Sequence, residues 1–378
     1  MTRRELLAVI PAVAFSHGLR AAELPEDGFL SLFDGKTLDG WSVQDGLETA
    51  FYVRDGAIVA HESSGFPTWL RSAKQYENFD FRGEFFLEGW MDSGIYIHAP
   101  EHGRPMGCGM QINLFHQHDD QPKPESMGSI FPLVPPLKVN VKNKGEWNSF
   151  RILMDWPQLR VWTNDEVIQD LDVTSVPELH YRFRRGYLGF QSLSYPIRFR
   201  RLRVRELPSN DDWQTLYSRP EHFENWLITG EPIVQWLGEI IHADGNGQIT
   251  TKENFRDFEL QFYVRHVKHH NSGIMFRGGG GSGPGSRRYE VQLHDVEGAH
   301  YPTGSLYSIK RSIYPRIEPE VWYPVRLVVN GRNCLVRVNG DTVLEYGRLE
   351  NLSEGPIELQ AHAPGKWTEF KEILVRRI

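Results

Sequence analysis

Cysteine is nearly absent: Cys108 and Cys334 are the only two in 378 residues. They lie in different halves of the chain. That excludes a disulfide framework and leaves two isolated thiols or one long-range bridge. Basic residues are not in excess either. Lys and Arg number 42 against 49 Asp and Glu, a net charge of −7, so nothing in the balance points to nucleic acid. No apolar run approaches the roughly 20 residues that span a bilayer. No helical period persists, and a charged fraction of 24% is ordinary for a globular chain. A polytopic membrane protein, a coiled coil and a disordered chain are thereby excluded. What is abundant is Gly (35), Pro (23) and aromatic residues, with 11 Trp and 14 Tyr. Such a chain suits many short strands joined by turns, with aromatic faces able to stack on sugars.

The N-terminus reads as a targeting segment. Arg3-Arg4 precede a short apolar run from Leu6 to Phe15, and Ala21-Ala22 offer a cleavage site. This is a signal-peptide plan over 1–22, and the paired arginines resemble the twin-arginine type. The expected mature chain has no integral membrane segment and works in the periplasm or outside the cell.

The remainder is one unit written twice. Tyr76-Glu77-Asn78-Phe79 matches Phe255-Arg256-Asp257-Phe258, and Ser93-Gly94-Ile95 matches Ser272-Gly273-Ile274. Gly128-Ser129-Ile130-Phe131 matches Gly304-Ser305-Leu306-Tyr307, and Gly189-Phe190-Gln191 matches Glu358-Leu359-Gln360. The order is kept throughout, which reads as a tandem duplication. A polar linker from Pro208 to Asp212 divides the chain into 28–207 and 212–378. Ser93 is expected over Ser272, and Gln111 over Gln292.

Each unit reads as all-β. Leu260, Phe262 and Val264 alternate with Glu259, Gln261 and Arg265, and Asn339-Gly340 closes a hairpin. Roughly ten or more short strands in about 175 residues imply a jelly-roll sandwich.

The string from Gly28 to Trp41 (GFLSLFDGKTLDGW), Asn271 to Ile274, Tyr289 to Gln292 and Gly304 to Tyr307 together resemble the 3-keto-disaccharide hydrolase domain family. The resemblance covers nearly the whole mature chain, once per unit. It implies two tandem concanavalin-A-like jelly rolls, typically secreted, and a 3-keto-glycoside as substrate.

Alternation places Glu290, Gln292 and His294 on one face of a strand. Arg277 is expected to join them, with Asp295, Tyr307, Gln360, His362 and Trp367 as further sugar contacts. The amide of Gln and the fork of Arg suit hydroxyl and carbonyl oxygens. A plain solvated sheet face is the alternative for each of these residues. With a ketone at C3 the C2 proton is acidic. Glu290 is then the candidate base, His294 the acid and Arg277 the stabiliser of the enolate charge. Two-carboxylate glycosidase chemistry is less favoured, because only Glu290 and Asp295 lie near the motif.

The first unit departs from the pattern, with Gly109 read at the place of Glu290, Cys108 at that of Tyr289 and His98 at that of Arg277. It is expected to bind or scaffold. His116, His118, Asp119 and Asp120 lie close enough to hold a divalent metal, although a solvated loop fits them as well and no cofactor is required. Gly278 to Gly285 reads as a loop and not a phosphate cradle. His266, His269 and His270 read as a solvated turn. Beside the hydrolase or lyase stand two other readings: a lectin-like pair of sandwiches and a structural module for partner binding.

Overall fold

The computed structural model describes residues 28–63, 68–116, 121–278 and 288–378. The segment assigned above to export, residues 117–120 of the histidine stretch and residues 279–287 of the glycine run lie outside them.

In the first unit, period-two sequences make two facing sheets. One runs Glu166–Asp172, Gln158–Thr163, Trp147–Asp155, Phe79–Phe86, Arg198–Glu206, Ala57–Ala60 and Phe51–Arg54, with Leu30–Ser31 on the side. The other runs Trp41–Gln44, Trp69–Tyr76, Gly186–Gln191, Asp92–Ala99 and Met110–Phe115. Phe81, Phe150, Phe190 and Leu70 fill the space between them. Fully burying side chains of this size is worth about 1.5–3 kcal/mol each.

The second unit has its own core, from Leu216 to Val375, and the same order of strands. Here the two layers join, because Ile240–Thr251 passes through both. Ile240 to Ala243 pair with Thr368–Arg377, and Gly247 to Thr250 pair with Glu358–Ala361. Gly245, at φ +87°, lies between the two stretches, where a side chain would be strained. The first unit breaks the same path into Ala57–Ala60 and Trp69–Tyr76.

The duplication is visible bond by bond. Ser93 Oγ donates to Gln191 O at 2.7 Å, and Ser272 Oγ to Gln360 O at 2.6 Å. Trp41 Nε1 donates to Leu32 O, and Trp226 Nε1 to Leu216 O. Leu188 N–H reaches Ser72 Oγ at 3.1 Å, and Ile357 N–H reaches Thr251 Oγ1 at 2.9 Å.

One expected match needs correction. Phe131 N–H donates to Gln111 O, as Tyr307 N–H does to Glu290 O. Gly128 N–H donates to Asn113 O, as Gly304 N–H does to Gln292 O. Gln111 therefore stands at the place of Glu290, and Asn113 at that of Gln292. Gly109 and Cys108 are not the counterparts of Glu290 and Tyr289. A shift of two residues along a strand keeps every side chain on its own face, so the amide pattern alone did not reveal it.

The units dock closely. Glu101 N–H donates to Tyr263 Oη at 2.9 Å, Lys371 Nζ meets Glu101 at 2.9 Å, and Arg326 reaches Arg182 O at 3.1 Å. Cys108 packs with Phe183 and Tyr263, leaving a cavity of only about 10 Å³. Cys108 and Cys334 are both free and buried. Among the described residues no helix is long and apolar enough to cross a membrane.

Two carboxylates at this junction are pulled in opposite directions. Hydrogen bonding from His102 and Lys371 holds Glu101 down at about 2. Burial, with the Glu101 charge beside it, pushes Glu372 up to about 7 from an ordinary 4.5. A raised carboxyl binds its proton more tightly in the folded state. The stability it contributes is complete below pH 4.5 and is lost as pH rises through about 7. Glu372→Gln should therefore melt near the wild type at pH 4.5 and above it at pH 8. Thermal scans across that range check this, and a difference independent of pH would contradict it.

Candidate functional site

Strands Tyr289–His294, Asn271–Phe276 and Glu358–Ala361 lie side by side in the second unit. Tyr289, Val291 and Leu293 point into the core with Ile274 and Leu359. The intervening residues form the outer face in rows fixed by register. Met275 is opposite both Glu290 and Glu358, with Thr250 next in line. Gly273 is opposite Gln292, and Gln360 is opposite Gln248.

Gly273 makes room for the acid. The Glu290 side chain lies across it, so a Cβ there would meet Oε1 at 2.3 Å and Cγ at 2.6 Å. The Glu290 carboxylate makes no hydrogen bond among the described residues. Burial raises its pKa, partly offset by the Arg288 charge. Arg288 is itself held by Glu358 at 3.0 Å. Glu358 sits two strands from Glu290, about 10 Å between Cα atoms at the usual strand spacing.

Around these acids runs a polar chain. Gln292 donates to Asn271 Oδ1, and Asn271 Nδ2 donates to His362 Nε2 at 3.2 Å. Gln292 Oε1 is buried and has no partner among the described residues. Gln360 is half-buried on the same face, and His362 is exposed. Tyr307 is exposed, forms an edge contact with Tyr301 at 5.3 Å, and its N–H bonds Glu290 O.

Several expected members lie elsewhere. Arg277 is fully buried and away from this face. Its residue adopts φ +56°, which ends the alternation that was to carry it there. Its guanidinium is used up by Asp257 at 2.7 Å, Gly331 O at 2.7 Å, Asn351 O at 3.1 Å and Arg256 O at 3.0 Å. His98 in the first unit has φ +51° and bonds the matching Glu77 O at 2.7 Å. Both residues fasten a strand end. Asp295 caps a turn, accepting from the N–H groups of His269 and His270 at 2.9 and 3.0 Å. Trp367 stacks on His242 at 5.9 Å, about 20 Å along the strand from Gln248. His294 shares the face of Glu290, but four residues of strand put their Cα atoms about 13 Å apart. Burial lowers the pKa of His294.

The turn of histidines is solvated at His269 alone. His266 and His270 are buried and stack at 4.1 Å, with His270 Nε2 on Thr368 Oγ1 at 2.7 Å. Burial holds both below the ordinary histidine range. Among the described residues no group of three or more His, Cys, Asp or Glu could hold a metal.

Glu358, Arg288 and Asn271 are the residues that strand-by-strand reading missed. Glu358 could have been found by its repeat partner: the first unit has Gly189 there and Gln111 for Glu290. Both acids of the second unit are thus absent from the first. The first-unit face instead carries Trp69 and Tyr96, in edge contact at 5.6 Å, with Gln111, Asn113 and Gln191 buried around them.

Parts of this chain are similar to known proteins. A Bacteroides thetaiotaomicron protein named 3-keto-disaccharide hydrolase is 26% identical over 183 residues, 38% of this chain and 60% of that protein. The chain thus spans 60% of that relative's length. A Parabacteroides distasonis structure described as a candidate glycosyl hydrolase is 22% identical, with a TM-score of 0.43. The match covers 48% of this chain and 94% of that one. The carbohydrate-binding module CBM66 of Bacillus subtilis is 15% identical at a TM-score of 0.29, covering 39% and 93%. The family described as the 3-keto-alpha-glucoside-1,2-lyase-like domain matches residues 28–205 and again 209–376, and the chain belongs to that family, with two tandem copies of its domain.

Proposed function

We propose that the second unit cleaves glycosides carrying a ketone at C3, with Glu290 as the base. The observation that carries this reading is the Glu290 carboxylate: half-buried, raised in pKa, without a hydrogen-bond partner among the described residues, and laid across Gly273 on an open polar face. The names of the family and of the Bacteroides relative agree with it.

The C3 ketone makes the C2 proton acidic. Glu290 removes that proton and the electron pair moves onto the C3 oxygen as an enolate. Arg288, held by Glu358, is the nearest guanidinium to stabilise that charge, in place of the buried Arg277. The enolate then collapses and the C1–O bond breaks. The departing oxygen takes a proton from Glu290, since His294 lies about 13 Å away along the strand. The product is an enone with a double bond between C1 and C2. Addition of water across it completes a hydrolysis; release without water is a lyase reaction. Gln292 and Gln360 supply the donors and acceptors that orient the ring. Sugar binding without turnover is a second reading, favoured for the first unit by Gln111 and Gly189 in place of both acids.

Glu290→Gln keeps the shape and loses proton acceptance. Turnover of a 3-keto-glycoside should fall by about 10²–10⁴-fold, with binding by calorimetry nearly unchanged. Equal turnover would remove Glu290 from the mechanism. Binding by both proteins without turnover by either would make the second unit a lectin as well. Gly273→Ala is the complementary test. Its nearest neighbours are all atoms of the Glu290 side chain, which must swing away from Cγ outward, so the melting temperature should change little while kcat falls at least tenfold. A variant with full kcat would show that the pose of Glu290 is immaterial.

We also propose export, on the strength of Arg3-Arg4, the run from Leu6 to Phe15 and Ala21-Ala22. Mass spectrometry of the extracytoplasmic protein should find a mature chain beginning close to Ala22, and an intact Met1 would speak against it.

A further inference from the structure

The polar chain beside Glu290 ends in an unsatisfied atom. Gln292 Nε2 donates to Asn271 Oδ1, and Asn271 Nδ2 donates to His362 Nε2 at 3.2 Å. Gln292 is 4% exposed, and its Oε1 has no partner among the described residues. A buried carbonyl oxygen of this kind is costly unless a ligand brings the missing donor. An amide has one donor end and one acceptor end, so the three side chains are coupled. While His362 Nε2 accepts, Asn271 must turn its oxygen to Gln292, and Gln292 must spend its N–H there. The end left for a ligand is an oxygen. A protonated imidazole has only donors. Asn271 then turns its oxygen to His362 and its N–H to Gln292, and Gln292 turns its own N–H outward. One proton on His362 thus inverts what Gln292 presents.

The sandwich does not need this relay. Asn113, in the first-unit place of Gln292, donates to Glu125 O at 2.8 Å, a carbonyl with no proton to gain. Asp92 and Leu193 stand where the second unit has Asn271 and His362. His362 is exposed, and histidine is the side chain that changes charge between pH 5 and 8. The other titratable or charged groups around it are His294 on the neighbouring strand, His269 and His270 in the turn before Asn271, and Asp295 capping that turn. Lys366 and Asp244 follow beyond His362, and Glu231 lies opposite Asn246 on the edge strand. Among the described residues only Gln292 and His362 bond the Asn271 side chain.

We propose that His362 is a positioning residue that selects, through Asn271, which end of the Gln292 amide meets the sugar. This role rests on the C3-ketone reading of the Glu290 face. With the C2 proton at Glu290, the C3 oxygen lies one carbon further on. Gln292 is the next residue of the strand on that face, about 7 Å from Glu290 between Cα atoms. A hydroxyl at C3 both gives and accepts a hydrogen bond, whereas a ketone only accepts. Neutral His362 therefore favours the unoxidised parent glycoside. Protonated His362 favours the ketone, whose second lone pair remains for Arg288.

Calorimetry on the full chain carrying Glu290→Gln tests it, since that substitution stops turnover and removes the carboxyl that titrates beside the relay. A 3-keto-glycoside and its unoxidised parent are compared at pH 5.5 and 7.5. Affinity for the ketone relative to the parent should rise at least threefold at the lower pH. Adding His362→Gln, whose amide is uncharged at both, should flatten the ratio. Asn271→Leu, which removes the link and keeps the size, should flatten it too. In the ligand-free protein the side-chain amide resonance of Gln292 should move over the same pH range and stay still once His362→Gln is added. A flat ratio, a ratio that changes equally in both variants, an amide resonance blind to pH, or binding of neither sugar overturns the proposal. Wild-type turnover of the 3-keto-glycoside is measured alongside. A flat ratio with turnover intact removes the relay and leaves Glu290 as the base.

Discussion

The register between strands Asn271–Phe276 and Tyr289–His294 decides what the second unit can do. Pairing Met275 with Glu290 and Gly273 with Gln292 leaves the acid beside a residue that has no side chain. A slip of one residue would turn Glu290 into the core and expose Val291. A slip of two would keep the face but put another side chain over the glycine. The core side pins the pairing, since Val291, Leu293 and Ile274 must all stay dry. Burial of these apolar groups thus fixes the placement of the polar ones. Glu290, without a hydrogen-bond partner among the described residues and half-buried, retains a basicity that a solvated or ion-paired carboxylate would lack.

The same economy governs the way the units meet. Both carry a carboxylate ringed by arginines on the outer face of the larger sheet. A buried carboxylate of this kind tolerates burial only while its arginines stay in place. Once held, Arg326 still has donors left over, and a guanidinium cannot shed its charge. In the second unit the excess is small, and carbonyl groups of the neighbouring domain absorb it. In the first unit Arg82, Arg151 and Arg205 hold Asp80, and Glu84 takes up Arg200 and Arg201. Duplication therefore keeps the clamp in both copies, and in the second copy it also ties the two domains together.

The all-β class and the two copies were legible because period two and repeated strings are local. The residues that share a site were only half legible. Glu290, Gln292 and His294 follow from alternation on one strand. Glu358 and Arg288 join them only through cross-strand pairing, which no local pattern reports. Arg277 was misplaced because a left-handed residue ends the alternation, and nothing in its side chain announces that. The pairing of Gln111 with Gln292 failed for a different reason. Slips of two residues preserve the face, so chemical type alone cannot choose between Gln111 and Asn113. The buried His266 and His270 read as solvated because their partners, Tyr323 and Thr368, are distant in sequence.

Comparing the two copies also separates chemistry from architecture. Ser93 and Ser272, Trp41 and Trp226, and Ser72 and Thr251 hold identical bonds, so they belong to the sandwich itself. His98 and Arg277 differ in type but fasten the same carbonyl, which assigns them to the architecture too. The side chains of Glu290 and Glu358 hold no bond that their first-unit counterparts repeat. Gln111 turns its amide to Asn113 and Gln191 at 3.2 and 3.3 Å. A residue that the fold does not need, at a position where the other copy does without it, owes its place to something outside the fold. On this face of the second unit the two acids and the arginine between them meet that description, and a proton acceptor with a cation beside it is what an enolising substrate requires.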